Sequence, residues 1–341
     1  MKAIRLTERG IEGVRYSELD SPALGSGQVR LRMLSASVNR VDLYMRDNGA
    51  GIRHTLPQTL GVDGVGEVLE TAADVDMPVG QRVVLYPYQY CGSCRYCNAG
   101  DQTLCLSAKI FGEHLDGTFT EEMVVPARSL MPVSATANPH EVATLGVAYL
   151  TAWRMVFGKA PLTPGQVVLV QGAGGGVSYA AMQLAMMAGA KVIVTTSGQQ
   201  KIQHFAGLGI DVIDYANDDV VAAVLDITNG EGADRVIDNS GEKSWPSSLR
   251  ALTRGGEVIT CGATTGGNPS AELQRVFIRQ LSVRGSTMGS LEEFRRLLKC
   301  YEYGLFKPRI DSVFSLPDVA EAFNRQESPE RLGKVVISIS E

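Results

Sequence analysis

A regular alternation of strand-like and helix-like segments between residues 166 and 285 constrains the fold more than any other feature of this sequence. The strand-like segments are Gln166–Gln171, Lys191–Thr195, Asp211–Ile213, Arg235–Asp238, Glu257–Cys261 and Leu281–Gly285. The helix-like segments are Val177–Ala188, Gln199–Leu208, Val220–Thr228, Trp245–Leu252 and Ala271–Arg279. Strands that alternate with helices form a parallel sheet covered on both faces. The pattern therefore predicts a doubly wound α/β domain, which we place at residues 126–305.

The first 125 residues follow a different pattern. Short β-forming runs such as Gln28–Met33 and Gly64–Glu70 are separated by Gly and Pro, and few long stretches have helical periodicity. The last segment, Lys334–Ser340, alternates apolar and polar residues and is expected to return to this domain. We therefore expect a β-rich domain formed by residues 1–125 and 306–341.

Charge and composition exclude several classes of protein. The chain has 32 Lys and Arg against 37 Asp and Glu, a formal net charge of −5, so no basic surface is expected for nucleic acid or an anionic membrane. No apolar run reaches the ~20 residues of a membrane helix, and the N-terminal segment lacks the apolar core of a signal peptide. We expect a soluble, cytoplasmic protein that acts on a small molecule.

A glycine-rich turn follows the first strand of the α/β domain and leads directly into a helix. Its residues are Gly172, Ala173, Gly174, Gly175, Gly176, Val177 and Ser178. Glycines let the backbone approach a pyrophosphate, which binds at the positive end of the helix. The turn predicts a dinucleotide site at residues 173–177; a turn without a ligand is the alternative.

The end of the next strand indicates which dinucleotide binds. An acidic residue there would bind the ribose hydroxyls of NAD. The sequence has Thr196 and Ser197 instead, and Lys201 one helical turn later could pair with a 2′-phosphate. This favours NADPH, although Lys201 could also be an ordinary solvated lysine.

Four of the six cysteines lie within fifteen residues of one another, at Cys91, Cys94, Cys97 and Cys105. Four thiolates without a histidine suit a closed tetrahedral zinc site. An iron–sulfur cluster is the rival, but the last spacing is wrong and no proline follows Cys105. We predict one structural Zn²⁺ per chain.

These features together resemble the medium-chain dehydrogenase/reductase superfamily over essentially the whole chain. The matching stretches are Gly61–Glu67, Cys91–Cys105, Gly172–Gln183, Gln280–Gly289 and Gly333–Val336. The resemblance implies a GroES-like catalytic domain and a Rossmann nucleotide-binding domain. One departure is Ser178, where the family usually has the third glycine of its fingerprint.

A second departure concerns the catalytic zinc of the family's alcohol dehydrogenases. By the resemblance, their first cysteine ligand corresponds to Asn39, their histidine to Val62 and the adjacent glutamate to Asp63. Their later cysteine falls in the segment 146–148, which has no metal-binding side chain. An amide and one carboxylate make a poor zinc site. The chain thus resembles members that keep the structural zinc and lack the catalytic one, although a metal at Asp63 stays open.

The absence of catalytic zinc favours a particular chemistry. Hydride addition to an isolated ketone places charge on one oxygen, which zinc would stabilise. Addition to a C=C bond conjugated with a carbonyl spreads the charge into an enolate, which hydrogen-bond donors can hold. We therefore predict an NADPH-dependent reductase of activated C=C bonds or quinones. An alcohol or aldehyde dehydrogenase and a non-catalytic NADPH-binding protein are the alternatives.

The resemblance also implies individual site residues. Asn39, Asp42 and Tyr44 match the active-site stretch of zinc-free quinone reductases. Tyr44 would hydrogen-bond the substrate carbonyl, give a proton, or serve only in packing. The cofactor residues that it implies are Thr151, Ala173, Gly174, Gly175, Gly176, Val177, Thr196, Ser197, Lys201, Tyr215, Asn239, Gly262, Ser286, Met288 and Lys334. A homodimer or homotetramer is expected because the last strand of the nucleotide sheet would be a free edge.

Overall fold

The structure is a computed structural model that describes residues 1–158 and 160–340. In the first part of the chain the strands are β1 (Lys2–Leu6), β2 (Val14–Glu18), β3 (Gln28–Ser37), β4 (Gln58–Thr59), β5 (Asp63–Thr71), β6 (Arg82–Leu85), β7 (Tyr88–Gln89), β8 (Lys109–Ile110), β9 (Glu122–Pro126) and β10 (Leu130–Pro132). The helices there are α1 (Arg40–Asp47), α2 (Arg95–Asn98) and α3 (Pro139–Val142).

The rest of the chain alternates helices and strands. In order, these are α4 (Leu150–Phe157), β11 (Val167–Val170), α5 (Gly176–Met187), β12 (Lys191–Thr196), α6 (Gln199–Gly207), β13 (Asp211–Asp214), α7 (Val220–Ile227), β14 (Ala233–Asp238), α8 (Trp245–Ala251), β15 (Leu252–Thr260), α9 (Leu273–Arg279), β16 (Ser282–Gly285), α10 (Leu291–Glu302), β17 (Ile310–Ser315), α11 (Val319–Glu327) and β18 (Lys334–Ser338). Of the helices in the described residues, none is long and apolar enough to span a membrane.

Residues 151–288 form one compact unit around a parallel sheet. Its six strands have the order β13-β12-β11-β14-β15-β16, and every neighbouring pair is parallel. Apolar side chains of the sheet, such as Leu169, Val236 and Val258, pack with Leu249 of α8 in the core of the unit. The predicted doubly wound α/β fold is confirmed.

Residues 1–150 and 289–341 form the other unit, which is mostly β structure. Its main sheet has the strand order β10-β6-β5-β3-β18-β17, with β9 also paired to β3. The last strand, β18, pairs antiparallel with β3 and places Val336 opposite Ser37. The final strand of the chain therefore joins the unit that contains the first strand, and the GroES-like fold expected for this unit is confirmed.

The boundaries of the two units differ from those expected from the sequence. Residues 126–150 and 289–305, expected in the nucleotide-binding domain, belong to the β-rich unit. Strand β10 pairs there with β6, and Phe294 of α10 packs against the ring of Tyr86 at 6.1 Å between centroids. The alternation of strands and helices does not reveal these long-range contacts. The domain boundaries expected from that alternation therefore differ from the boundaries in the structure.

Candidate active site and cofactor site

The glycine-rich turn lies between β11 and α5, as the sequence predicts. Gly172 has φ of +63°, a left-handed conformation that favours glycine. Gly175 is the N-cap of α5 and, as a glycine, has no side chain to cap the helix. The first N–H groups of α5 are thus left for an external acceptor, and a pyrophosphate fits such a helix end.

Ser178, which replaces the usual third glycine, is accommodated by the backbone beside it. Its side chain is fully buried in the first turn of α5, and its hydroxyl donates a hydrogen bond of 2.8 Å to the carbonyl of Gln171. A hydroxyl buried with a partner carries little desolvation penalty. The serine therefore preserves the close approach of helix and strand.

The ends of β12 and β13 bring together three residues predicted to face the adenosine part of a cofactor. The backbone N–H of Tyr215 donates to the carbonyl of Thr196 at 3.1 Å, and the hydroxyl of Ser197 donates to the Tyr215 hydroxyl at 2.8 Å. Lys201 lies in the first turn of α6 and is only 9% exposed. Its side chain is therefore largely shielded from solvent.

A cavity of about 490 Å³ lies beside this group, in the same unit. Gly172, Thr195 and Tyr215 line it together with Ser240 and Lys243. None of its lining residues within the described chain is acidic. Sequence reasoning missed Ser240 and Lys243, although both follow the carboxyl end of β14, where ligands of such sheets bind.

The remaining predicted cofactor residues of this unit lie at or beyond the carboxyl ends of β14, β15 and β16 or beside them. A Cβ atom on Gly262 would lie 3.0 Å from the carbonyl oxygen of Asn239, so these two segments touch. The hydroxyl oxygen of Thr151 lies 3.7 Å from the sulfur atom of Met288. The N–H of Ser286 donates to a carbonyl of β15, whereas its hydroxyl is buried without a partner in the described residues. These residues therefore lie along the carboxyl edge of the parallel sheet.

The four predicted zinc ligands lie together in the β-rich unit. Their sulfur atoms are all within 4.8 Å of one another, and the Cys91 sulfur is 3.5 Å from that of Cys105 and 3.9 Å from that of Cys97. Zinc–sulfur bonds of ~2.3 Å in a tetrahedron imply sulfur separations of ~3.8 Å. Backbone N–H groups of Ser93 and Cys94 lower the pKa of Cys91 to about 6. The set therefore fits a structural zinc ion.

The predicted catalytic residues lie at helix α1 in the same unit. Asn39 is the N-cap of the helix, and its backbone N–H donates to a carboxylate oxygen of Asp42 at 2.7 Å. The other Asp42 oxygen accepts from the N–H of Gly61 at 3.1 Å. Tyr44 is partly exposed, and its hydroxyl has no hydrogen-bond partner among the residues described here. The hydroxyl is therefore available to a substrate.

A buried polar network connects Asn39 with Asp63 and Lys334. The amide nitrogen of Asn39 donates to Asp63 Oδ1 at 3.0 Å, and its amide oxygen accepts from Lys334 Nζ at 2.6 Å. Burial raises the pKa of Asp42 to about 7 and also raises that of Asp63, while it lowers the pKa of Lys334 to about 8. Lys334, expected to bind the cofactor, instead directs its ammonium into its own unit.

The positions that correspond to the catalytic zinc ligands come together but do not fit a metal ion. Both polar ends of the Asn39 amide are engaged, one by an ammonium. Val62 is fully buried and has no donor atom. A Cβ atom on Gly146 would lie 3.1 Å from Cβ of Asp63, so the third position supplies only backbone.

His54 belongs to another polar group near α1. Its Nε2 atom lies 3.4 Å from a carboxylate oxygen of Glu113, and His114 is close by. Arg9 Nη2 lies 2.9 Å from Nδ1 of His54 and can only donate to it. The proton of a neutral His54 ring is therefore on Nε2, directed toward Glu113, which makes the ring a poor metal ligand in this arrangement.

Comparisons with known proteins identify the family. Residues 25–135 match the alcohol dehydrogenase GroES-like domain, and residues 176–302 match the zinc-binding dehydrogenase domain. A zinc-type alcohol dehydrogenase-like protein of Schizosaccharomyces pombe is 32% identical over 340 residues, covering 97% of this chain and 96% of the relative. The chain belongs to the medium-chain dehydrogenase/reductase superfamily.

Solved structures of this superfamily have the same fold. An NAD-dependent alcohol dehydrogenase superposes with a TM-score of 0.95 at 35% identity and covers all of both chains. A crotonyl-CoA carboxylase/reductase superposes with a TM-score of 0.89 at 25% identity, over 99% of this chain and 88% of the other. The protein is thus an oxidoreductase of the medium-chain dehydrogenase/reductase superfamily.

Proposed function

We propose that this protein is an NADPH-dependent reductase that transfers hydride to a C=C bond conjugated with a carbonyl, or to a quinone, without a catalytic zinc ion. The contact between Lys334 Nζ and Asn39 Oδ1 at 2.6 Å carries the proposal. An ammonium contacts the side chain at the position where the family's alcohol dehydrogenases have a metal ligand. A reaction that needs no Lewis acid is the chemistry compatible with this site.

Residues of the chain would perform two tasks in this reaction. The bound nicotinamide supplies the hydride. Tyr44, whose hydroxyl has no partner in the described residues, would donate a hydrogen bond to the carbonyl oxygen of the substrate as enolate charge develops there. Asn39 and Asp42 would hold the helix that carries Tyr44.

The preference for NADPH rests on the adenosine end of the cofactor site. Thr196 and Ser197 occupy the position where a carboxylate would repel a 2′-phosphate, and Lys201 follows within one helical turn. Lys243, which lines the neighbouring cavity, adds a second cation. A phosphate is stabilised by such cations.

A structural zinc ion completes the proposed holoenzyme. Cys91, Cys94, Cys97 and Cys105 would hold it with all four coordination positions filled. A closed site stabilises the lobe around it and offers no position to a substrate.

The relatives support two different substrate classes. One relative is named for crotonyl-CoA, a molecule in which a C=C bond is conjugated with a thioester carbonyl. Reduction of such a bond is the proposed chemistry. Other relatives are named NAD-dependent alcohol dehydrogenases, which makes NAD-dependent alcohol oxidation the second candidate.

A substrate panel distinguishes the candidates. We expect NADPH oxidation with conjugated enones, enoyl thioesters or quinones, slower oxidation of NADH, and little reduction of simple aldehydes. Turnover of alcohols with NAD, without activity on any conjugated acceptor, would favour the second candidate. Tight NADPH binding with no turnover across the panel would indicate a non-catalytic binding protein.

A further inference from the structure

We propose that Lys334 is the internal counter-ion of two buried carboxylates, Asp42 and Asp63, and that it positions Asn39 and thereby helix α1. This role differs from that of a cofactor ligand, which the sequence suggests for the same residue. The counter-ion role rests on the burial of these groups, on the hydrogen bonds of Lys334 and on the Asn39 amide that bridges Lys334 and Asp63. Its consequence for Tyr44 rests on the proposed function.

The surroundings of Lys334 support a structural ammonium rather than a ligand-binding one. The residue is 3% exposed at the start of β18, and Nζ donates to the carbonyl of Val38 at 2.7 Å and to Asn39 Oδ1 at 2.6 Å. The charged groups that face it are Asp63 of β5, Asp42 of α1 and Arg331 in the segment before β18. A buried ammonium is stable only when opposite charges and acceptors lie close to it.

Asp63 in turn needs a positive charge nearby, because its carboxylate is buried. It is fully buried, and its Oδ1 atom accepts from the backbone and hydroxyl of Ser37 and from the Asn39 amide. Its Oδ2 atom has no hydrogen-bond partner among the described residues. Hydrogen bonds therefore leave one oxygen of this buried carboxylate unsatisfied, and the Asn39 amide joins the other oxygen to Lys334.

Asn39 links the buried charges to the helix. Its amide bridges Lys334 and Asp63, and its backbone N–H closes onto Asp42 in the first turn of α1. Loss of the ammonium would leave the Asn39 oxygen without its donor and two carboxylates without a counter-ion. The N-terminus of α1 would then shift, and Tyr44 would move with it.

A double-mutant cycle tests the counter-ion role without any substrate. Lys334→Met keeps the length of the side chain and removes the charge. Asp63→Asn keeps an oxygen for the three donors and places its NH₂ where Oδ2 has no partner. We expect Lys334→Met to lower Tm by about 5–10 °C and Lys334→Met/Asp63→Asn to recover at least half of that loss.

Two comparisons make the cycle decisive. Lys109→Met, on an exposed lysine of β8, should leave Tm unchanged. If Lys334→Met alone does not fold, a folded double variant supports the proposal and an unfolded one contradicts it. Additive effects of the two substitutions, or a Lys334→Met protein with native Tm and NADPH affinity reduced tenfold or more, would overturn it in favour of cofactor binding.

The pH dependence of turnover tests the positioning role. As the pH rises through about 8, Lys334 loses its proton in the folded protein, so kcat of the native enzyme should fall over that range. The double variant should have a lower kcat without that alkaline fall, while KM for NADPH changes less than twofold. An identical alkaline fall in both proteins would contradict positioning by Lys334. Inactivity of the native enzyme on every conjugated acceptor would refute the proposed function and leave the Tm cycle valid.

Discussion

At the scale of single residues, Tyr44 combines partial exposure with a hydroxyl that has no partner in the described chain. Tyr44→Phe removes that hydroxyl and keeps the ring. We expect kcat for a conjugated acceptor to fall by ~10- to 1,000-fold with a smaller change in KM, because the lost hydrogen bond acts on charge that develops in the transition state. Steady-state kinetics and an NADPH titration measure this. An unchanged kcat would assign Tyr44 to packing.

Lys201 is the residue at which cofactor choice can be measured. Lys201→Ala should weaken NADPH binding by about 1.5–3 kcal/mol and leave NADH binding nearly unchanged, because a charge-assisted hydrogen bond to the 2′-phosphate is lost. Fluorescence titration with both cofactors measures the two affinities. Lys191→Ala, at the opposite end of β12, is the control. Equal losses for both cofactors would show that Lys201 does not contact the 2′-phosphate.

Single residues also mark the limit of what the sequence could predict. The family resemblance assigned Asn39 and Asp42 to one active-site stretch and Asn39 and Asp63 to positions of one metal site, and the structure joins the three by hydrogen bonds. The direction of the Lys334 side chain could not be predicted. Its partner Asn39 is 295 residues away in the chain, and the contact exists because β18 pairs with β3.

At the scale of elements, local patterns predicted most of the nucleotide-binding unit. The glycine-rich turn between β11 and α5 could be predicted from the residues around it alone. Ser178 is accommodated there because its hydroxyl donates a hydrogen bond to the carbonyl of Gln171. The unit to which α10 belongs was not predicted. The unit in which a helix packs depends on its contacts. For α10 one of these contacts is with Tyr86, about 200 residues earlier in the chain, and helical periodicity does not reveal it.

The cysteine lobe is the element whose stability should depend on metal. The purified protein should contain one zinc per chain, and Cys97→Ser should lose it and lower Tm on the order of 5 °C or more, because metal binding contributes folding free energy. Hydride transfer should change less than stability. Elemental analysis and thermal unfolding measure this, with Cys300→Ser of α10 as the control. Two zincs per chain in the native protein would contradict the single-site account.

At the scale of the whole molecule, we propose that two copies associate through the edge of the parallel sheet. Strand β16 is the last strand on that side, and Val283 on it is 52% exposed. Leu273 and Phe277 of the adjacent α9 are 71% and 67% exposed. An apolar free edge is a site for pairing with another chain.

Sedimentation of edge variants tests this association. The native protein should have at least twice the 36.6 kDa mass of one chain, and Val283→Lys should shift it toward the monomer. Val313→Lys, on the edge strand β17 of the other unit, should leave the mass unchanged. A monomeric native protein, or equal effects of the two variants, would refute association through β16.

The central claim is that hydride reaches a conjugated acceptor without a catalytic metal. The most direct test is the rate of NADPH oxidation with the best conjugated acceptor, measured before and after mild chelation that leaves one zinc per chain. We predict the same rate in both cases, because hydrogen-bond donors of the protein hold the developing charge. A rate abolished by the chelator and restored by added zinc, together with metal-dependent turnover of simple alcohols, would contradict the account.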